Sequence, residues 1–158
     1  MEKADYNIAS VTKALQLIDL LSRKNGQLSV QALAEKLDVS PSNVTRLLQT
    51  MRDAGFVEKS PKTNRYLLSN KFYVVTSNML YSNECIQKYL PVAQRVAAKL
   101  NATVALNSLY GKNAVMLARA GGLYRSEDFS VGNLRPAYCS SAGKVMLSTL
   151  SEQQMAVF

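Results

Sequence analysis

The sequence predicts an α+β protein with a helical N-terminal part, a linker helix and a smaller C-terminal part that mixes helix and strand. Before residue 55, apolar residues recur at the spacing of helices. After it, short apolar runs on either side of turn residues indicate strands. With 158 residues, 47% of them hydrophobic, the chain can bury the core of one domain or of two small ones.

The composition excludes several classes of function. The chain contains no His, so it cannot build a Ser-His-Asp triad, a Cys-His dyad or a His-ligated metal site. Cys85 and Cys139 form no CxxC motif, and Cys139 is expected to be a small core residue. "MEKADYNIAS" lacks the apolar stretch of a signal peptide, and no run of 18 or more apolar residues occurs, so neither a signal segment nor a membrane span is expected. We therefore predict a cytoplasmic protein that is not an enzyme, contacts no membrane and needs no metal or cofactor.

The net charge of +8 is unevenly distributed along the chain. Residues 40–71 carry six basic and two acidic groups, whereas residues 1–39 are neutral. Residues 72–158 carry eight basic and four acidic groups over nearly three times the length. The dense excess favours a nucleic-acid partner, although a solvated face without a special purpose would have the same composition.

Two helices are predicted before residue 38. The first begins at the N-cap Ser10 and ends at Asn25-Gly26. Its expected buried stripe is Val11, Ala14, Leu15, Ile18 and Leu21. Ser29 is expected to cap the second helix. The buried stripe of that helix is Val30, Leu33, Ala34 and Leu37.

A third helix follows after a turn of only three residues, 38–40. Ser40 is its expected N-cap, and Pro41 suits its first position because the missing N–H needs no partner there. Gly55 ends it. The expected buried stripe is Val44, Leu47, Leu48 and Met51. Two helices joined by so short a turn are typical of a helix-turn-helix.

The outer face of the third helix has the side chains of a DNA-recognition helix. The positions off the buried stripe are Ser42, Asn43, Thr45, Arg46, Gln49, Arg52 and Asp53. Arg can pair with guanine and Asn or Gln with adenine in the major groove, while hydroxyls suit phosphate oxygens. Many solvent-facing helices are equally polar, and Arg46 could instead pair with Asp53 or Glu58. Together with the preceding helix and the tight turn, this face predicts DNA contacts from Ser40, Ser42, Asn43, Thr45, Arg46 and Gln49.

A basic hairpin is predicted directly after the third helix. "FVEK" and "RYLL" are short strands around the turn "SPKTN", and such a hairpin after a helix-turn-helix is a wing. Lys59, Lys62 and Arg65 are expected to meet phosphates or the minor groove. They could also be solubility charges, and Arg65 could pack over Tyr66 or pair with Glu58.

The rest of the chain changes pattern. Residues 70–83 read as a linker helix with Phe72, Val75 and Met79 as its apolar contacts. "ATVALNSLY" and "AVMLARA" flank the hairpin signal Gly111-Lys112-Asn113, and a glycine-punctuated loop follows up to Pro136.

Two further helices belong to this C-terminal part. The first runs from Glu84 to Leu100, and Pro91 should kink it or mark its true start. Its apolar positions are Ile86, Leu90, Ala93, Val96, Ala97 and Leu100. "CSSAGKVML" opens the second helix.

These segments together resemble the IclR family of bacterial transcription regulators. "VTKALQLIDLL", "SVQALAEKL", "SNVTRLLQTM" and "GFVEKSPKTNRYLL" correspond to the three helices and wing of that family. "GNLRPAYCSSAGKVMLSTLS" is similar to a segment of its effector domain, so the resemblance covers about residues 8–155. In two departures, Pro41 stands where the family often has Lys, and Asn43 replaces the usual Thr, which implies a different operator sequence.

The resemblance implies a winged helix-turn-helix over residues 8–69, a linker helix over 70–83, and a partial GAF-like α/β effector-binding domain over 84–158. Family effector domains continue beyond the helix that "SSAGK" opens, so the chain is expected to hold about the first half of a sensor, as if truncated. Ser140, Ser141, Ala142 and Gly143 would line a pocket for a small organic acid or sugar-derived effector. Alternatively, these small residues only let the helix pack closely on a sheet.

The same resemblance implies a regulator, more commonly a repressor, that binds a pseudo-palindromic double-stranded DNA operator as a homodimer or a dimer of dimers. The apolar side of the linker helix is the expected dimer surface. The alternative is a fragment that binds DNA and dimerises but senses no ligand, because half of the sensor domain is absent.

Overall fold

The structure, a computed structural model, describes residues 7–23, 26–122, 130–156 and 158. The chain divides into two compact units, Met1–Asn78 and Met79–Phe158. Across the described ranges, no helix is both long enough and apolar enough to cross a membrane. Asn25 of the expected helix stop, and residues 123–129 of the expected loop, lie outside the described residues.

The first unit combines three helices with a two-stranded antiparallel sheet. Its elements are α1 (Ala9–Ser22), α2 (Val30–Leu37), α3 (Pro41–Asp53), β1 (Val57–Lys59) and β2 (Tyr66–Leu68). Val57 lies opposite Leu68 in the sheet, and an isolated bridge joins Leu28 to Tyr66. The hairpin is thereby hydrogen-bonded both to itself and to the segment that precedes α2.

A closed apolar core holds these elements together. The largest fully buried side chains are Leu17, Leu33, Val44, Leu48 and Val57. They come from α1, α2, α3 and β1, so every element except β2 contributes one of them. Complete burial of such a side chain stabilises the fold by about 1.5–3 kcal/mol, and this core therefore fixes how the helices are rotated.

The prediction for α1 was wrong in two respects. The helix begins at Ala9 with Ile8 in the N-cap position, so Ser10 lies inside the first turn. Val11 and Leu15 are 52% and 59% exposed, whereas Leu17, outside the predicted stripe, is fully buried. The helix carries apolar residues on more than one face, and the face that meets α2 and β2 is the one that becomes buried.

The predictions for α2 and α3 are confirmed. The Ser29 Oγ accepts a hydrogen bond from the Ala32 N–H at 3.2 Å. The Ser40 Oγ accepts one from the Asn43 N–H at 3.4 Å. Pro41 is the first residue of α3, and Gly55 follows its end with a φ of +80°, a conformation that glycine adopts without strain. Of the two predicted stripes, Val30 and Leu47 are half-buried, and the other residues are buried.

The second unit has helices around a small antiparallel sheet, and the unit boundary falls within the predicted linker helix. Helix α4 (Lys71–Ser82) crosses this boundary, and its residues 71–78 belong to the first unit. The elements after it are α5 (Glu84–Leu100), β3 (Val104–Tyr110), β4 (Asn113–Ala120), β5 (Leu134–Pro136), α6 (Ser141–Leu147) and α7 (Glu152–Met155). The strand order is β3-β4-β5.

Alanines form much of the contact between α5 and the sheet. Ala93 and Ala97 of α5 pack against Ala120 of β4, and such small side chains allow the helix to approach closely. Along β4 every second residue is buried, as expected of a strand with one covered face. Val96 and Leu100, predicted to be contacts, are exposed instead because the sheet reaches only one side of α5.

Three further expectations are corrected. Helix α5 begins at Glu84 with Asn83 as its cap, so Pro91 lies inside the helix and does not mark its start. Within the predicted loop, residues 134–136 form β5, with Val115 opposite Leu134. Cys139 is exposed because it ends a single 3-10 turn at the surface, where its thiol donates to the Pro136 carbonyl oxygen at 3.1 Å.

We predict that Tyr89→Phe leaves the stability of the protein unchanged or raises it by about 1 kcal/mol. The Tyr89 hydroxyl is buried without a hydrogen-bond partner among the described residues, and burial raises the pKa of this phenol. Urea unfolding measures the change. Tyr110→Phe, which alters a mostly exposed ring, is the control and should have no effect. A clear loss of stability in Tyr89→Phe alone would contradict the buried, unpaired hydroxyl.

Candidate functional site

The turn between α2 and α3 determines how α3 projects from the first unit. Asp38 adopts a left-handed conformation with a φ of +52°, which ends α2 and turns the chain toward α3. The Val39 N–H bonds the Ala34 carbonyl oxygen at 3.2 Å. From α1, the Lys13 ammonium donates to the Leu37 carbonyl oxygen at 2.6 Å. The C-terminal end of α2 is therefore tied to α1, where a cation also suits the helix dipole.

The six predicted contact residues at the start of α3 are all exposed. They are Ser40, Ser42, Asn43, Thr45, Arg46 and Gln49. Because Val44 and Leu48 point into the core, the helical period turns Asn43, Arg46 and Gln49 outward. The arrangement can therefore present an amide, a guanidinium and a second amide along one helix face.

The hydroxyl groups on this face differ in what they can still donate. The Thr45 hydroxyl donates to the Pro41 carbonyl oxygen at 2.9 Å. The Ser40 and Ser42 hydroxyls lie 3.2 Å apart and share one hydrogen bond. A phosphate oxygen only accepts, so Thr45 would have to break its bond to contact one, whereas the serine pair can reorient.

Arg46 lies on the exposed face, and no described residue is an acidic partner for it. The Gln49 side-chain amide donates to the Asp53 carboxylate at 2.7 Å, so Asp53 is engaged by Gln49. Within the described part of the chain, neither Asp53 nor Glu58 forms an ion pair with Arg46. Arg46 therefore does not form the ion pair with Asp53 or Glu58 that is the alternative to a role in DNA binding.

The wing carries three exposed cations, Lys59, Lys62 and Arg65. The turn that joins its strands is closed by the Ser60 N–H, which bonds the Arg65 carbonyl oxygen at 2.8 Å. The Lys59 ammonium lies 5.6 Å from the centre of the Tyr66 ring. The contact with Tyr66, which is the alternative role of Arg65, is therefore made by Lys59. In the ranges that the structure describes, none of the three cations is paired with a carboxylate.

A second candidate site lies in the other unit, at the start of α6. Ser140, Ser141 and Ala142 line a cavity of about 160 Å³. The floor is apolar, from Ala105, Ala114 and Met116, and the polar groups are those of Asn107, Asn133 and Arg135. Sequence reasoning missed these polar groups because only the pairing of three strands brings Asn107 beside Asn133 and Arg135. A small cavity with an apolar floor and a few polar groups suits a small ligand.

Gly143 does not line this cavity. It is buried, and a Cβ built on it would overlap the carbonyl oxygen and Cα of Ala137. Its N–H is already bonded to the Ser140 Oγ at 3.0 Å. At this residue the structure favours the alternative of close packing over ligand contact.

Comparison with protein families identifies the chain. Residues 10–61 match the family model described as the IclR helix-turn-helix domain. Residues 77–158 match the model described as the C-terminal domain of the bacterial transcriptional regulator IclR. The chain belongs to the IclR family. The family resemblance of the sequence and its α+β fold are thereby confirmed.

Individual IclR-family proteins match along nearly the whole chain. The acetate operon repressor of Salmonella typhimurium is 27% identical over 152 residues, which cover 94% of this chain and 55% of that protein. The crystal structure of a regulator from Alicyclobacillus acidocaldarius is 26% identical with a TM-score of 0.75. The match covers 94% of this chain and 61% of that one, so the chain spans little more than half the length of these relatives.

An IclR homolog from Microbacterium hydrocarbonoxydans, crystallised in complex with 4-hydroxybenzoate, has a similar fold. Its TM-score is 0.70 at 17% identity, and the match covers 92% of this chain and 59% of that one.

We predict that Gly143→Ala destabilises the protein by about 1–3 kcal/mol, the usual penalty of overpacking. The new methyl group would overlap the backbone of Ala137, which cannot move without disturbing β5 and α6. Gly122→Ala is the matched control, since a Cβ there meets nothing within 4 Å. The two variants are compared by urea unfolding, and equal midpoints would contradict the close packing at Gly143.

Proposed function

We propose that this chain is a sequence-specific DNA-binding transcription regulator, acting as a repressor, whose helix α3 enters the major groove. One observation carries the proposal: α3 exposes Asn43, Arg46 and Gln49, while its opposite face is buried in the core. The names of several IclR-family relatives, the acetate operon repressor among them, support the assignment to repression.

The two basic elements would have different tasks. Base edges in the major groove are read by bidentate side chains, and Arg46 with Asn43 and Gln49 provides the types that pair with guanine and adenine. Lys59, Lys62 and Arg65 stand on a hairpin and would neutralise phosphates, which adds affinity for any sequence. The proposal therefore separates specificity in α3 from salt-dependent affinity in the wing.

The expected result is that Arg46→Ala weakens binding to a selected operator by about 1–3 kcal/mol and relaxes the base preference. Lys62→Ala should weaken operator and random DNA alike and lower the slope of log Kd against log salt by about 1. Fluorescence anisotropy on both DNAs at several salt concentrations gives these quantities.

Lys99→Ala removes the same charge from the second unit and is the control for net charge. Equal losses on operator and random DNA for both Arg46→Ala and Lys62→Ala would show that α3 is not the reading helix.

We further propose that the chain acts as a homodimer or a dimer of dimers. No residue of α4 is buried, and Tyr73, Val74, Val75 and Met79 are all exposed on it. Contiguous exposed apolar surface marks interaction sites in soluble proteins. Phe72, expected at the dimer surface, instead packs edge-on against Phe56, with ring centres 5.3 Å apart. A two-fold dimer through α4 implies a pseudo-palindromic operator.

The cavity beside α6 is the proposed effector site, and a small carboxylic acid is its proposed ligand. Arg135 offers a cation, and Asn107 offers an amide, beside the apolar floor. The homolog in complex with 4-hydroxybenzoate supports this ligand class. The volume of about 160 Å³ favours a small acid over a larger sugar derivative.

We expect small carboxylates to raise the Tm of the wild-type protein and to change its affinity for operator DNA. The probes are acetate, benzoate and 4-hydroxybenzoate, each compared with its neutral amide. Arg135→Gln should abolish the shift of Tm, because the cation that pairs with the carboxylate is gone. If no acid shifts either quantity, the alternative gains support: a DNA-binding and dimerising fragment that senses no ligand.

In this proposal the chain is a binding protein and not an enzyme, and it works in the cytoplasm, where bacterial DNA lies. The absence of His from the sequence and the regulatory names of the relatives support this part of the proposal.

A further inference from the structure

The end of α3 and the start of α4 are joined by a compact set of hydrogen bonds and ring contacts. We call Ala54, Gly55, Phe56, Ser69, Lys71 and Phe72 the α3–α4 junction. All six residues belong to the first unit, and three of them directly follow α3. The other three lie at or just before the start of α4. The junction therefore connects the proposed reading helix to the proposed dimer helix.

Ser69 is the centre of this junction. Among the residues that the structure describes, Ser69 is the one polar residue that is buried, with 6% of its surface exposed. Its hydroxyl donates to the Gly55 carbonyl oxygen and accepts a bond from the Lys71 N–H at 3.2 Å. Its own N–H bonds the Phe56 carbonyl oxygen at 3.0 Å. One side chain thus satisfies backbone groups on both sides of the junction.

Lys71 forms a second link that runs in parallel. Its ammonium donates to the Ala54 carbonyl oxygen at 2.7 Å, where a cation also suits the C-terminal end of α3. The same ammonium lies 4.3 Å from the centre of the Phe56 ring. The side chain passes over Gly55, since a Cβ built there would lie 3.5 Å from the Lys71 Cδ.

Phe72, the residue after Lys71 in α4, packs edge-on against the Phe56 ring. An aromatic pair therefore also stabilises the junction. Hydrogen bonds, a cation–ring contact and an aromatic pair connect the same two helices. A joint with several independent contacts resists rotation, so α3 must follow when the start of α4 turns. If only the backbone between β2 and α4 connected the two helices, α4 could turn without moving α3.

We infer that Ser69 and Lys71 are positioning residues, which fasten α3 to α4 so that the packing of α4 in the dimer sets the distance between the two recognition helices. The inference rests on the proposed function, because it presupposes DNA binding by a dimer. It adds the specific residues that convert dimer geometry into a preferred spacing of the half-sites.

The test measures the affinity of the full chain for a series of duplexes in which the half-site separation varies from the best spacing by one to five base pairs. The wild-type protein should prefer one separation by about tenfold or more over its neighbours. Lys71→Met and Ser69→Ala should flatten this profile to about threefold or less. The affinity of both variants for a single half-site should stay within about threefold of the wild-type value. The slope of log Kd against log salt should not change.

Lys71→Arg keeps a donor and a cation at the same place and should restore the wild-type profile. Ser69→Ala acts on the junction without removing a charge, so the inference stays testable if Lys71→Met fails to fold. Circular dichroism confirms that each variant is folded before its profile is measured.

A wild-type spacing profile in both Lys71→Met and Ser69→Ala would overturn the inference. A wild-type protein that binds half-sites but prefers no spacing would overturn it as well, while the assignment of Arg46 as a reading residue stands. Only a wild-type protein that selects no DNA sequence at all would refute the proposed function itself.

Discussion

Burial of one side of α3 is the constraint on which the rest of the first unit depends. Val44 and Leu48 are completely buried against Leu17 of α1 and the other core residues, and a helix with 3.6 residues per turn then has a single outward face. The short turn at Asp38 and the bond from Lys13 to the end of α2 place the helix start at the surface. Asn43, Arg46 and Gln49 are exposed because of this core, and their chemistry alone would not orient them.

The same reasoning explains where sequence patterns were sufficient. In α2 and α3 the caps, the proline and the stripes agree with one another, so local signals and tertiary packing point to one answer. In α1 the apolar residues occupy more than one face, and only contact with α2 and β2 selects Leu17 over Leu15. In α5, Val96 and Leu100 continue the helical period beyond the area that a three-stranded sheet covers. Burial there depends on a partner that periodicity does not describe.

The candidate effector site shows a different limit. The motif around Ser141 was recognisable because it is local, and Ser140, Ser141 and Ala142 line a cavity in the structure. Asn107 was not foreseen, since it is far from Ser140 in sequence and approaches Asn133 and Arg135 only through the pairing of β3, β4 and β5. Asn133 and Arg135 lie just before the motif, but nothing local showed that they face the same cavity. The strand β5 itself has three residues and ends in proline, too short a segment for an alternating pattern. Non-local pairing of this kind leaves no signal in a single sequence.

The central claim is that an outward face of α3, held by the core and joined to a dimer helix, reads DNA sequence. In vitro selection of DNA from a random library by the whole chain tests this claim most directly. The account predicts enrichment of an inverted repeat whose half-sites are separated by about one helical turn or a multiple of it, and loss of that enrichment in Arg46→Ala. Salt-sensitive binding without any enriched motif would contradict the account, because it would leave only the electrostatic contribution of the basic groups.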